Sequence, residues 1–167
     1  MRTRSLALAL ILVLAPPLAG AGLAGCRPDA RPETAVVSRV VDGDTVELSG
    51  GRLVRYIGID TPEVRRRRGG EWVVDPEPFG MAARDANAAL VQGKRVFLEY
   101  DVEERDKYGR LLAYVYVDGE MVNATLMRDG YAQPLTIPPN VKHAGEFRRL
   151  AAEARQASRG LWAAKER

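Results

Sequence analysis

The chain predicts an α+β fold, mainly β: a small five-stranded barrel with three helices packed on it. Short β-branched runs broken by Gly and Asp recur over residues 35–58 and again over 95–122, which reads as a meander of strands. One helical stretch separates the two groups, and two more follow the second. An export segment of 26 residues leaves 141 of the 167 residues, which suits one domain with a single core. Strands interrupted by one helix and followed by two more favour a closed or half-closed barrel of the OB type, whose open face commonly receives nucleic acids or sugars. Fold alone does not give function.

The N-terminal 1–26 opens with Arg2 and Arg4 and runs through apolar Leu6 to Ala15 with no acidic residue, the pattern of a secretory signal. That run is shorter than the roughly 20 apolar residues a membrane span needs. Leu23-Ala24-Gly25-Cys26 resembles the lipobox of bacterial lipoproteins, in which the cysteine is acylated and becomes the mature N-terminus. An ordinary cleavage site near a cysteine is the alternative. Residues 27–34, R-P-D-A-R-P-E-T, are charged, carry Pro and lack apolar periodicity, and so read as a tether. A lipidated Cys26 would place the protein in the cell envelope, close to a membrane surface.

The domain is expected over 35–163, with 164–167 as a tail. A-V-V-S-R-V-V, T-V-E-L and R-L-V-R-Y-I-G-I are its first strands, joined by turns at Asp42-Gly43-Asp44 and Gly50-Gly51. Val64 to Phe79 is basic at first and Pro-rich later, the composition of an exposed loop. Met81 to Val91 places Met81, Ala82, Ala86, Ala89 and Leu90 at helical spacings, and Gly93 stops the helix. R-V-F-L-E-Y-D and L-L-A-Y-V-Y-V are further strands, and Asp118-Gly119 signals a hairpin. Asn123 is a candidate cap for a short helix ending at Gly130. A longer helix follows from about His143 to Ser158.

Removing the export segment takes away Arg2 and Arg4 and lowers the formal charge from +3 to +1. Nucleic-acid binding must then rest on where charges sit. With one Cys and one His in the chain, intrachain disulfides, cysteine-ligated zinc and multi-histidine metal sites are excluded. Any metal would be held by oxygen.

Asp44 and Asp60 stand at the ends of predicted strands, where two carboxylates and a loop carbonyl suit a hard cation such as Ca²⁺. Asp42-Gly43-Asp44 is equally a common turn sequence. Glu63 follows Asp60 around Pro62, which restricts their relative placement, so Glu63 could orient or deprotonate a water. It could also simply pair with the arginines after it. Arg55 lies in an apolar strand and Arg110 leads into another. Two guanidiniums near carboxylates form a phosphate-handling set, with structural ion pairs as the alternative. Strict alternation puts Arg55 and Asp60 on opposite faces, so one site requires the strand to end or bulge near Gly58.

V-D-G-D-T-V-E-L, R-Y-I-G-I-D-T-P-E, D-K-Y-G-R-L-L-A-Y, M-V-N-A-T-L-M-R-D-G-Y-A and the late G-L-W together resemble the staphylococcal nuclease (thermonuclease) family, in family order from Val36 to Ala163. The resemblance implies an OB barrel with three helices, and Ca²⁺-dependent hydrolysis of DNA and RNA phosphodiesters to products with 3′-phosphate ends. It implies metal ligation by Asp44, Asp60 and the main-chain carbonyl of Thr61, with Glu63 as general base or water-orienting group. It implies that Arg55 and Arg110 bind the scissile phosphate, and that Lys107 and Tyr108 lie near a terminal phosphate. A monomer acting on nucleic acid is expected. Two departures stand out. The stretch after Glu63 is longer than in the family's best-known member and begins with Arg65 to Arg68, and Thr136 stands where a base-stacking tyrosine is found. A non-catalytic nucleic-acid-binding module and an OB-type carbohydrate binder are the competing readings. The full set Asp44, Arg55, Asp60, Glu63 and Arg110 argues against both.

Overall fold

The computed structural model describes residues 33–163. The export segment, Cys26, residues 27–32 and the tail at 164–167 lie outside them. Strand β1 (Glu33–Asp42) is long enough to serve two neighbours. Its first half pairs antiparallel with β7 (Arg95–Glu99) and its second half with β2 (Thr45–Leu48). The register slips between Val37 and Arg39 and again between Val40 and Asp42. Such slips bend a strand, and bending lets one strand turn a barrel corner. Strand β3 (Leu53–Tyr56) joins β2, and β8 (Leu111–Val117) joins β7. A parallel pairing of β3 with β8, Arg55 opposite Leu112, closes the five strands into an OB-type barrel. Closure removes the sheet edges.

The barrel interior holds Val37, Val46, Leu48, Val54, Tyr56, Val96, Leu98 and Val115, each at most 1 % exposed. Alternation supplies these inward residues from every strand. Helices α1 (Gly80–Val91), α2 (Val122–Arg128) and α3 (Ala144–Gln156) cover the outside and one end, α3 presenting buried Phe147, Leu150, Ala151 and Ala154. Among the described residues no helix is long and apolar enough to cross a membrane.

Three sequence expectations change. The first strand begins at Glu33 rather than Ala35, because Glu33 and Thr34 pair with Leu98 and Phe97. Val64 to Phe79 contains a hairpin in place of a bare loop: β5 (Arg65–Arg68) pairs with β6 (Glu71–Val74) across a Gly69-Gly70 turn. Four consecutive arginines hid a strand whose only apolar signal lies in its partner, Trp72 to Val74. Finally, Asn123 does not cap α2, whose N-cap is Met121. The Asn123 amide is buried, donating to Ile57 O at 2.9 Å and accepting from Val115 N–H at 3.0 Å. It joins α2 to two strands instead of closing its own helix.

Between β3 and α1 lies β4 (Ile59–Asp60), which pairs with β10 (Gln133–Pro134) after α2. A short β9 (Glu120–Met121) folds back on β8 through Asp118 and Gly119, both at positive φ. Two positive φ values in a two-residue loop are what the Asp-Gly signal predicts.

Candidate active site

The site forms where β1, β3 and β4 end. Gly58, at φ 80, ends the strand direction of β3 before β4 begins, and a Cβ there would lie 2.5 Å from the Phe147 ring. Only glycine meets both demands. The turn cancels the alternation that would separate Arg55 from Asp60, and Arg55 Nη2 donates to Asp60 Oδ1 at 2.7 Å. The other arm of the same guanidinium pairs with Asp44, a side chain only 2 % exposed. One cation thus spans two carboxylates that are 16 residues apart in sequence.

Asp44 is fixed from the other side as well. Its Oδ2 accepts from Thr61 N–H at 2.9 Å and from the Thr61 hydroxyl at 3.1 Å, while its Oδ1 accepts from the Thr45 hydroxyl at 3.0 Å. Thr61 packs so closely on the Asp42–Asp44 turn that a Cβ on Gly43 would meet its Oγ1 at 2.6 Å. Thr61 therefore holds Asp44 through its N–H and hydroxyl. Among the described residues no three Asp, Glu, His or Cys side chains gather as a ligand cluster. The carboxylate donors are the two from Asp44 and Asp60, with main-chain oxygen as the further donor type available. That all-oxygen set, already drawn around a positive charge, fits a hard divalent cation.

Glu63 stands beyond Pro62 with its carboxyl against that of Asp42. Burial, the contact with Asp42 and the Asp42 charge push it up to about 7, against the pull of Arg55. Asp42 was read from sequence only as a turn residue. It is 6 % exposed, and its carboxylate accepts from Gly43 N–H at 3.0 Å and from Val64 N–H at 3.3 Å. Behind it, the buried Tyr56 hydroxyl donates to Asn87 Oδ1 at 3.0 Å, and Asn87 Nδ2 donates to Asp42 O at 3.1 Å. Burial raises the Tyr56 phenol, which stays a donor. Asp42, Tyr56 and Asn87 are the site residues that sequence reasoning missed. Only the repeated Asp around Gly43 signalled any of them.

Arg110 arrives from another part of the chain. The parallel register sets Arg55 beside Leu112, and Arg110, two residues earlier, shares the face of Leu112. Its Nε donates to Asp106 Oδ2 at 2.7 Å, and Asp106 Oδ1 also takes the N–H groups of Tyr108 and Arg110. Burial disfavours the Asp106 charge, but these hydrogen bonds outweigh it and hold the carboxyl below its ordinary value. The turn presents Tyr108 outward, 73 % exposed, with Lys107 Nζ 5.0 Å and the Arg110 guanidinium 5.6 Å from its ring. Arg55, Glu63, Lys107, Tyr108 and Arg110 line one open cleft of about 1140 Å³, and Asp44 and Asp60 reach it through their pairing with Arg55. Leu135 and Ile137, on either side of Thr136, line the wall beside β10. Cys26 lies outside the described residues. His143, given no role from sequence, packs edge-on against Tyr114 at 4.5 Å and sits 3.2 Å from Glu99, away from the cleft residues.

The arrangement offers an acceptor for a proton at Glu63, two guanidiniums on one cleft, and two carboxylates, Asp44 and Asp60, gathered by Arg55. Comparison with known proteins agrees in kind. Residues 53–164 match the family described as Staphylococcal nuclease homologue. The chain is 37 % identical over 137 residues to a thermonuclease of Staphylococcus intermedius, covering 80 % of this chain and 79 % of that protein. It is 34 % identical over 149 residues to a thermonuclease of Staphylococcus hyicus, covering 87 % and 83 %. It is 38 % identical over 131 residues to endonuclease YncB of Bacillus subtilis, covering 75 % of this chain and 60 % of that protein.

Proposed function

The chain belongs to the staphylococcal nuclease homologue family, and from that membership we propose that it is a Ca²⁺-dependent endonuclease that hydrolyses DNA or RNA phosphodiesters and leaves 3′-phosphate ends. The observation that carries this reading is the meeting of Arg55, Glu63 and Arg110 in one cleft, with Asp44 and Asp60 both paired to Arg55. A binding module has no need to place a carboxyl raised towards neutrality near the Arg55 guanidinium.

Asp44, Asp60 and the main-chain carbonyl of Thr61 would hold the Ca²⁺, which supplies positive charge to the phosphoryl oxygens as negative charge builds there. Glu63 orients a water and takes its proton as the water oxygen bonds to phosphorus. Arg55 and Arg110 donate to the non-bridging oxygens, an interaction that strengthens as the phosphorane-like charge develops. The bond from phosphorus to the 5′ oxygen breaks, with Arg110 placed to assist that leaving oxygen before it acquires a proton. Lys107 and Tyr108 hold a neighbouring terminal phosphate. None of these roles needs a histidine or a cysteine. The protein acts as a monomer, exported and held at the cell envelope through a lipid on Cys26.

The test is an assay of the full chain on plasmid DNA and on total RNA, with Ca²⁺ and with chelator. Degradation with Ca²⁺ alone, giving ends that a 3′-phosphatase must open before extension, is the expected result. Binding of both nucleic acids without degradation of either would establish the non-catalytic module instead.

A further inference from the structure

The β5–β6 hairpin carries a division of charge that the nuclease reading does not use. Residues directly opposite in a ladder share a face, so Arg67 lies with Trp72 and Arg65 with Val74, while Arg66 and Arg68 take the other side. On that other side both arginines are neutralised: Arg66 pairs with Glu77 at 2.8 Å and Arg68 with Asp75 at 2.6 Å. Arg65 and Arg67 have no carboxylate partner among the described residues, and they line the same cleft as Arg55 and Arg110. Beside them, opposite Arg67 in the ladder, stands Trp72, 65 % exposed, on that same cleft. With Val74, 68 % exposed on the same face, it forms an apolar patch interleaved with the two arginines.

Its position is also fixed relative to the reaction centre. Asp75 N–H donates to Val64 O at 3.1 Å and Glu77 N–H to Glu63 O at 2.8 Å, so the hairpin springs directly from Glu63. Glu77 Oε2 accepts from Glu63 N–H at 3.2 Å while Oε1 holds Arg66. The paired arginines therefore fasten the hairpin, and the unpaired ones face the cleft. The wall near β10 offers Leu135, Thr136 and Ile137, with no aromatic ring.

We propose that this hairpin is a wall of the binding cleft on which an unpaired base of single-stranded DNA or RNA stacks against Trp72 while Arg65 and Arg67 hold adjacent phosphates. The inference rests on the nucleic-acid reading above and adds residues outside the reacting set. An aromatic ring beside backbone-tracking cations is the general solution for strands without base pairing, because every base has a stacking face. A duplex keeps its bases covered and would leave the indole unused.

The probe is a phosphorothioate-linked oligothymidylate of about ten nucleotides, chosen to resist cleavage and to span a typical single-strand site. Binding is read by anisotropy with Ca²⁺ present, over a range of salt concentrations. Trp72→Ala should weaken binding by about tenfold, within the range measured for loss of one base stack, and Trp72→Phe should restore most of it. Arg65→Ser with Arg67→Ser should flatten the slope of log affinity against log salt by about 1.4, two phosphates' worth for a single strand. Arg66→Ser with Arg68→Ser loosens the hairpin but removes no phosphate contact, so it should flatten that slope clearly less. Equal effects from both arginine pairs, no effect from Trp72→Ala, or no binding by the unsubstituted chain would each overturn the proposal. So would Trp72→Ala releasing the protein from phosphatidylglycerol vesicles while oligonucleotide affinity stays intact, since the indole would then be a membrane contact. Cleavage of unmodified DNA is scored separately. Cleavage with unchanged KM in the Trp72 variant sinks this inference and spares the nuclease reading, whereas hairpin-dependent binding without cleavage does the reverse.

Discussion

Two carboxyl groups in contact, Glu63 and Asp42, are placed differently in the candidate active site. Asp42 accepts one main-chain N–H on each oxygen and is held from behind by Asn87, whereas Glu63 takes no main-chain donor among the described residues and, leaning on Asp42, reaches the cleft. A group whose oxygens are already occupied positions its neighbour, and a group with a free oxygen can take a proton. Glu63→Gln preserves shape and hydrogen-bonding reach but removes the basic oxygen. Turnover should fall by about 10²- to 10⁴-fold, the usual worth of a placed general base, with little change in oligonucleotide affinity. Parallel losses in kcat and in affinity would show that Glu63 binds substrate and does not take the proton. Arg55 is likewise a matter of shape: its planar fork reaches Asp44 and Asp60 together, which a lysine's single ammonium cannot do.

At the scale of elements, buried side-chain amides do the joining. Asn87 ties α1 to β1 and β3, and Asn123 ties α2 to β8 and to the chain just after β3. Both amides are fully buried. Asn123→Ala would leave Val115 N–H and Ile57 O without partners in the interior, where an unmade hydrogen bond costs about 1–3 kcal/mol per group. The expected loss is about 2–5 kcal/mol in urea unfolding, and a loss under 1 kcal/mol would mean that water reaches both groups. The β5–β6 hairpin belongs to the opposite class. It projects from the barrel on exposed residues, so its worth lies in what it contacts.

The whole molecule depends on docking α3 against the closed barrel, and Glu99 on β7 is the polar fastening. Its carboxylate accepts from the Tyr116 hydroxyl at 2.6 Å and pairs with Lys142 at 2.6 Å, two residues before α3, beside His143 at 3.2 Å. Burial works against its charge, but the bonds to Lys142, Tyr116 and His143 prevail and hold its carboxyl below the ordinary 4.5. A depressed folded value stabilises the native state fully above 4.5, and the contribution is lost as pH falls through the folded value. Glu99→Gln should therefore cost about 1–3 kcal/mol near neutrality, the worth of charge-assisted bonds reduced by the exposure of Lys142. The gap between variant and parent should close as pH falls from 4.5 through the depressed folded value, below which both side chains are neutral. A gap independent of pH would assign the effect to packing.

Barrel and helices were written in local pattern: alternation for the strands, 3.6-residue spacing for α1 and α3, Asp-Gly for the turn after β8. Asp44, Arg55, Asp60, Glu63 and Arg110 stood out as candidates by residue type and position, with turn and ion-pair readings open beside them until the family resemblance gave them roles. Local pattern cannot report which distant groups meet. Only closure of β3 on β8 brought Arg110 towards Arg55, and only the glycine turn at Gly58 let Asp60 reach the guanidinium that alternation would have hidden from it. Asp42, Asn87 and the hairpin stayed invisible for the same reason. A buried carboxylate, a buried amide and a run of arginines acquire meaning from their partners, and partners separated by 45 residues, as Asn87 and Asp42 are, are chosen by the fold.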